Sequence, residues 1–232
     1  MPKLFDGASG VLARPDGRDA HLSVVQDGDR LCSVCRKDAP PYAVAAAYGS
    51  YETGLREMIH LLKYHGVRPA ADVLGRMLSE VIQRMRPLFA KEVVLVIPVP
   101  LHVRKLRVRG FNQAELIIRS AIKNMDERQG FELRTGLLKR LRVTESQIGL
   151  TQNQRKENLR GAFTVSKPEM VKDREVLLVD DVFTTGTTAS ECARVLRRAG
   201  ATRVCVATVA RTLKKSGQSV APLESALAAV AG

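Results

Sequence analysis

The run VLLVDDVFTTGTT, Val176 to Thr188, constrains the fold of this chain more than any other segment. EVLLV, Glu175 to Val179, predicts a strand that brings Asp180 and Asp181 to its carboxyl end, and after Phe183 come only Thr and Gly as far as Thr188. Gly186 permits positive φ and close backbone approach, while Thr184, Thr185, Thr187 and Thr188 set hydroxyls beside a row of backbone N–H groups, a combination that cradles phosphate. Thr188 and Glu191 have capping-box spacing, which predicts a helix over 188–198 with its positive dipole end aimed at the bound anion. Two carboxylates beside a phosphate nest repel the same ligand unless they face its uncharged part or a metal. Sugar hydroxyls meet that requirement, because an ionised Asp only accepts hydrogen bonds.

The rest of the chain supplies a matching frame. YAVAAAYGSY (Tyr42 to Tyr51) reads as a strand, and Leu55, Met58, Ile59 and Leu62 make one apolar stripe of a helix from Gly54. A second amphipathic helix runs from Val73 to Met85 and stops before Pro87. VVLVIPVP (Val93 to Pro100) is a buried strand ending in a loop, HVRKLRVRG (His102 to Gly110) a basic loop, and 113–125 again helical. RVCVATVA (Arg203 to Ala210) adds a strand after the helix that ends on Arg197 and Arg198. Strands alternating with helices predict a parallel α/β sheet flanked by helices, with ligands at the carboxyl ends of the strands. Residues 1–41 read as an arm or small module, 42–212 as the domain, and 213–232 as a tail.

Other nucleotide folds are excluded by what is missing. The chain has no GxxxxGK[ST] loop to go with a Walker B strand, and no GxGxxG for a dinucleotide. The plain alternative is a strand ending in two solvated acids and a Thr-rich turn. No window offers about 18 uncharged apolar residues, and MPKLFDGASG lacks the apolar stretch of a signal peptide, so a cytoplasmic protein without membrane insertion is expected. Four cysteines, with Cys192 and Cys205 isolated among apolar residues, form no disulfide framework, which agrees with a reducing compartment.

Charge narrows the partners. With 37 Lys and Arg against 24 Asp and Glu, the net charge of +13 points to polyanions: nucleic acid, phosphorylated metabolites or an anionic surface. Arg194 to Lys215 carries seven cations and no acid. Aromatic residues make up only 4% and Trp is absent, so a single-strand binder would rely more on Lys and Arg than on stacking.

The Val176–Thr188 run resembles the signature by which type I phosphoribosyltransferases bind phosphoribosyl pyrophosphate (PRPP). Three further segments extend the likeness: LLKYHG (Leu61 to Gly66), VIPVPLHVRKLRVRGFNQAE (Val96 to Glu115) and QIGLTQNQRKENLRGAF (Gln147 to Phe163). Together, over about residues 42–212, they resemble the competence protein ComF family, related to amidophosphoribosyltransferases. The resemblance implies a type I phosphoribosyltransferase-like parallel sheet flanked by helices, with a small N-terminal module. It implies PRPP with Mg²⁺ as ligand, single-stranded DNA as partner during natural transformation, and a helicase or channel of the uptake machinery as a further partner. Whether phosphoribosyl is transferred to a nitrogen acceptor stays open, since a fold does not decide a function.

Residue by residue, the resemblance gives Asp180 and Asp181 the ribose hydroxyls and Thr184, Thr185, Gly186, Thr187 and Thr188 the 5′-phosphate. It brings the turn at Val99 and Pro100 to the pyrophosphate and makes the stretch holding Gln147, Arg155 and Asn158 a mobile loop over the site. Arg104, Lys105, Arg107 and Arg109, free of acids and just past a strand, suit pyrophosphate on their own chemistry, or stand as a solvated basic surface. Phe111, Asn112 and Gln113 fix this loop or read a base, with Asn112 also suited to an N-cap. Lys63 is a candidate phosphate contact and Tyr64 a structural residue. Arg197, Arg198, Lys214 and Lys215 are the candidate nucleic-acid contacts. ComF-like chains open with two Cys pairs resembling a zinc ribbon. Here Cys32 and Cys35 stand with only His21 nearby, short of the four ligands of a structural zinc, so a degenerate zinc-finger-like module without metal is expected.

Overall fold

In the computed structural model, residues 39–125, 130–142 and 159–212 are described. The Cys32–Cys35 module, the loop residues Gln147, Arg155 and Asn158, and the tail lysines Lys214 and Lys215 lie outside them. Five strands form one parallel sheet: β1 (Val44–Ser50), β2 (Val94–Pro98), β3 (Phe131–Leu133), β6 (Glu175–Phe183) and β7 (Arg203–Arg211), in the order β1-β7-β6-β2-β3. Strands β4 (Leu138–Arg140) and β5 (Phe163–Val165) form a separate antiparallel pair.

Period-two alternation divides the core between the two faces of the sheet. Leu177 and Val179 of β6 face α1 (Thr53–His65), α2 (Ala70–Met85) and α4 (Gln113–Lys123), with Ile59, Leu74, Leu78 and Ile117 fully buried there. Val176 and Leu178 face α5 (Thr187–Arg198) and the β4–β5 pair, through Cys192, Leu196, Leu138 and Phe163. Both faces are covered, which is why β6 and β7 read as near-continuous apolar runs. Helices α2 and α4 meet at Gly75, where a Cβ would come 2.6 Å from the Ser120 side chain, so close approach there requires glycine.

Two local expectations change. The basic stretch predicted as a loop is helical over Val103–Arg109 (α3). It buries none of its residues, and Val108 is 91% exposed, so no apolar stripe announces it. Its ends hold it instead: the His102 ring accepts from Arg104 N, and Gly110 closes the C-terminus at φ 78°. The capping box expected at Thr188 and Glu191 does not form either, because Gly186 occupies the N-cap and Glu191 accepts from Gly161 N at 2.8 Å while pairing with Arg194. Among the described residues no helix is long and apolar enough to cross a membrane.

Candidate functional site

Strand β6 continues four residues beyond the predicted end at Val179, so Asp180 and Asp181 lie inside it rather than in a loop. Each carboxylate turns back onto the chain: Asp180 Oδ1 accepts from Asp181 N at 2.9 Å, and Asp181 Oδ1 from Val182 N at 3.0 Å. The free oxygen of Asp181, Oδ2, forms an ion pair with Lys63 Nζ from the last turn of α1. Lys63 therefore meets the acids, where the sequence suggests a phosphate contact.

The electrostatics of this trio are unequal. Burial, and next the charge of Asp181, push Asp180 well above the usual carboxylate range. Burial also works against the charge of Asp181, but the Lys63 ammonium outweighs it and holds Asp181 below that range. Lys63 is disfavoured by burial too, yet Asp181 and then Asp180 raise it above the ordinary lysine value. The two acids are thus unequal: Asp180 holds a proton more readily than Asp181, whose carboxylate faces the Lys63 ammonium.

Beyond Phe183 the threonine turn leads into α5. Thr185 and Thr187 share a hydroxyl–hydroxyl hydrogen bond of 2.8 Å, and Thr187 is buried while Thr184 is exposed. Gly186 sits at φ 75°, and a Cβ there would lie 2.7 Å from the Phe183 ring and 3.0 Å from the Tyr42 hydroxyl. Phe183 is fixed in turn by an edge contact with Tyr42, centroids 6.2 Å apart, and by Arg211 at 5.7 Å from its ring. The first N–H groups of α5 have no intrahelical acceptor, so the turn presents donors and a positive dipole end to an anion.

On the other side of the acids, the turn after β2 gives shape but few donors. Val99 N donates to Val179 O at 2.8 Å, its carbonyl accepts from Asn112 Nδ2 at 3.0 Å, and Pro100 has no N–H. Asn112 caps α4 as expected, accepting from Ala114 N at 3.1 Å. Phe111 is buried against α2 and the sheet, and Gln113 is buried with its Oε1 accepting from Arg109, so both fix the turn. Positive charge comes from side chains. Partial desolvation, and then the cations Arg140, Arg109 and Lys63, lower Lys105, so positive charges from α1, α3 and β4 act on one another here. Arg104 and Arg107 are exposed on α3.

Arg140 is the residue that motif reading misses. It follows Leu138 at strand period, so it shares the inward side of β4, lies 5.4 Å from the Phe163 ring and acts electrostatically on Asp180. The β4–β5 pair also anchors both ends of the stretch that carries Gln147, Arg155 and Asn158. Arg197 and Arg198 stand at the far end of α5, about 17 Å from the turn at 1.5 Å per residue. Arg197 ties down the segment after its helix by donating to Ala201 O and Thr202 O, while Arg198 is exposed.

A parallel sheet covered on both faces, with an Asp-Asp strand end, a threonine turn and a helix N-terminus at its carboxyl edge, defines a phosphoribosyltransferase-type domain. The family model for the phosphoribosyl transferase domain matches residues 121–224. DNA utilization protein YhgH of Escherichia coli O6:H1 is 35% identical over 183 residues, 78% of each chain. Competence protein F of Haemophilus influenzae is 34% identical over 186 residues, again 78% of each. Among solved structures, the glutamine PRPP amidotransferase of B. subtilis is 27% identical with a TM-score of 0.36; the match covers 61% of this chain and 26% of that one. The chain belongs to the competence protein F (ComF) family, together with the YhgH proteins.

Proposed function

We propose that this protein binds PRPP with Mg²⁺ and acts in the handling of single-stranded DNA during uptake. The observation that carries the reading is the joint between β6 and α5: two adjacent acids, one paired with Lys63, followed by a threonine turn on a helix N-terminus. Asp180 and Asp181 would take the ribose hydroxyls, and Thr184 to Thr188 the 5′-phosphate. Lys105, Arg109 and Arg140, with Lys63 beside them, would take the pyrophosphate, and Arg155 and Asn158 would close over it. Mg²⁺ bound with the ligand would supply neutralisation of the pyrophosphate charge. The names of the relatives, DNA utilization protein and competence protein F, support the DNA role, as does the net charge of +13. The two buried free thiols, Cys192 and Cys205, support a cytoplasmic setting.

Calorimetric titration of PRPP with Mg²⁺, repeated with single-stranded DNA, tests the reading. PRPP should bind; Asp181→Asn should weaken it about tenfold or more, as expected for a lost charge-assisted bond worth ~1.5 to 3 kcal/mol, and Asp180→Asn should also weaken it by altering a group that meets the ribose hydroxyls. Unchanged affinity in both variants would remove the site assignment. A second reading, transfer of phosphoribosyl to a nitrogen acceptor, draws on the same acids, which stand where an oxocarbenium-like ribose would be steadied. Pyrophosphate release on adding candidate acceptors separates it from binding alone.

A further inference from the structure

The few aromatic residues of this chain are not evenly spread. Of its four tyrosines, Tyr51 and Tyr64 stand in one row with His60. The Tyr51 hydroxyl lies 3.0 Å from His60 Nε2, with ring centroids 6.5 Å apart. His60 and Tyr64, one helical turn apart on α1, have centroids at 5.0 Å, and the Arg109 guanidinium lies 5.7 Å from the centre of the Tyr64 ring. Tyr64 is nevertheless 67% exposed. Single exposed apolar residues need no explanation, but three rings in register ending under a guanidinium are not scattered.

The row also has an address. Tyr64 follows Lys63, which pairs with Asp181, and Tyr51 is close enough to Lys63 to act on its charge. Arg109 comes from α3, whose Arg104, Lys105, Arg107 and Arg109 stand without an acid among them. Aromatic faces beside cations are the two elements of a single-strand binding groove: the rings stack any base, and the cations follow the backbone.

We propose that the exposed ring of Tyr64, backed by His60 and Tyr51, is a stacking platform for a base of single-stranded DNA, with the exposed Arg104 and Arg107 of α3 taking the adjoining phosphates. The strand then passes the mouth of the cradle formed by Asp181 and the threonine turn. This rests on the DNA-handling reading above and adds where the bases sit.

Fluorescence anisotropy with a labelled single-stranded thymidine oligonucleotide, longer than a site of roughly 4 to 16 nucleotides, tests it against an abasic strand of equal length. Tyr64→Ala should weaken binding of the thymidine strand roughly five- to 150-fold if one base stacks there. Tyr64→Leu, apolar but without a ring face, should weaken it likewise, and Tyr64→Phe should retain it. The abasic strand should bind wild type and Tyr64→Ala equally, the salt slope should be unchanged, and PRPP titration should give the wild-type curve in all three variants. If wild type binds the thymidine strand and Tyr64→Ala matches it, or loses the abasic strand equally, the platform is wrong while the DNA reading stands. If wild type binds no single strand at all, both fall.

Discussion

Lys63 and Asp181 join the last turn of α1 to the strand end that carries the acidic pair, and this contact decides which of the two acids is charged. Removing one partner of a buried ion pair leaves an uncompensated charge, at a cost of about 3 to 5 kcal/mol when both are buried. Lys63 keeps 17% of its side chain exposed, which places the loss toward the lower figure. Lys63→Met should therefore lower unfolding stability by ~3 kcal/mol in urea titrations. Adding Asp181→Asn to it should recover part of that loss, and strictly additive single and double variants would show that the pair is not coupled.

Asp180 should reveal itself by pH. Its folded-state pKa is raised by burial and by Asp181, so above pH ~4 the unfolded chain gives up this proton while the fold retains it. That contribution to stability is present below the unfolded pKa and is lost as pH rises through the folded one. Asp180→Asn should melt higher than wild type at neutral pH, and the difference should close on acidification to about pH 4. Asp181 has the opposite sign: its lowered pKa stabilises the fold above pH ~4 and ceases to do so as pH falls, so Asp181→Asn should lose stability at neutral pH. Melting curves of both variants across this range check the two signs.

Gly186→Ala should damage both turn and ligand binding. The residue stands at φ 75° with Phe183 and Tyr42 against the space a Cβ would fill. The conformational cost alone is about 1 kcal/mol or more, and moving Phe183 adds to it. Calorimetry should show PRPP affinity lost well before the fold, whose melting should shift by only a few degrees; an unchanged affinity would mean that the turn does not hold the phosphate.

Arg197 and Arg198 should part company. Arg197→Glu removes the guanidinium donors to Ala201 O and Thr202 O and sets a negative charge at a helix C-terminus, costing about 1 to 2 kcal/mol by chemical denaturation. Arg198→Glu should leave stability within about 0.5 kcal/mol. If this end of α5 contacts DNA, Arg198→Glu should also reduce the slope of log K against log salt by about 0.7. PRPP binding should persist in both, because the turn lies at the other end of the helix.

The sheet and the threonine turn are legible because their signals are local. Apolar runs of strand length, a helix stripe at Val73 to Met85 and a Thr-Gly turn each act within a dozen residues. Helix α3 was not legible, since its order comes from two caps and not from burial. The capping box failed because Glu191 faces Gly161 across the domain, a contact that spacing does not encode. For the same reason the pairing of Lys63 with the distant Asp181 is not legible in the sequence. Arg140 was passed over because its strand is three residues long, too short for alternation to show which side chain turns inward.

The order β1-β7-β6-β2-β3 pairs the first strand of the sheet with the last, Val44 beside Cys205 and Ser50 beside Arg211. A ribosome makes them in the reverse order of need. Strand β1 and the helix that follows it, with Lys63 at its end, emerge early but have no seat in the sheet until β7 is synthesised. Once β6 has been made and β7 has not, Asp181 is present while the helix that carries Lys63 has no seat beside it. The carboxyl edge of the sheet is thus completed by the last strand, in a slow non-local closure, and a chain released before Arg203 would have every residue of the threonine turn without β1 and α1 seated beside it.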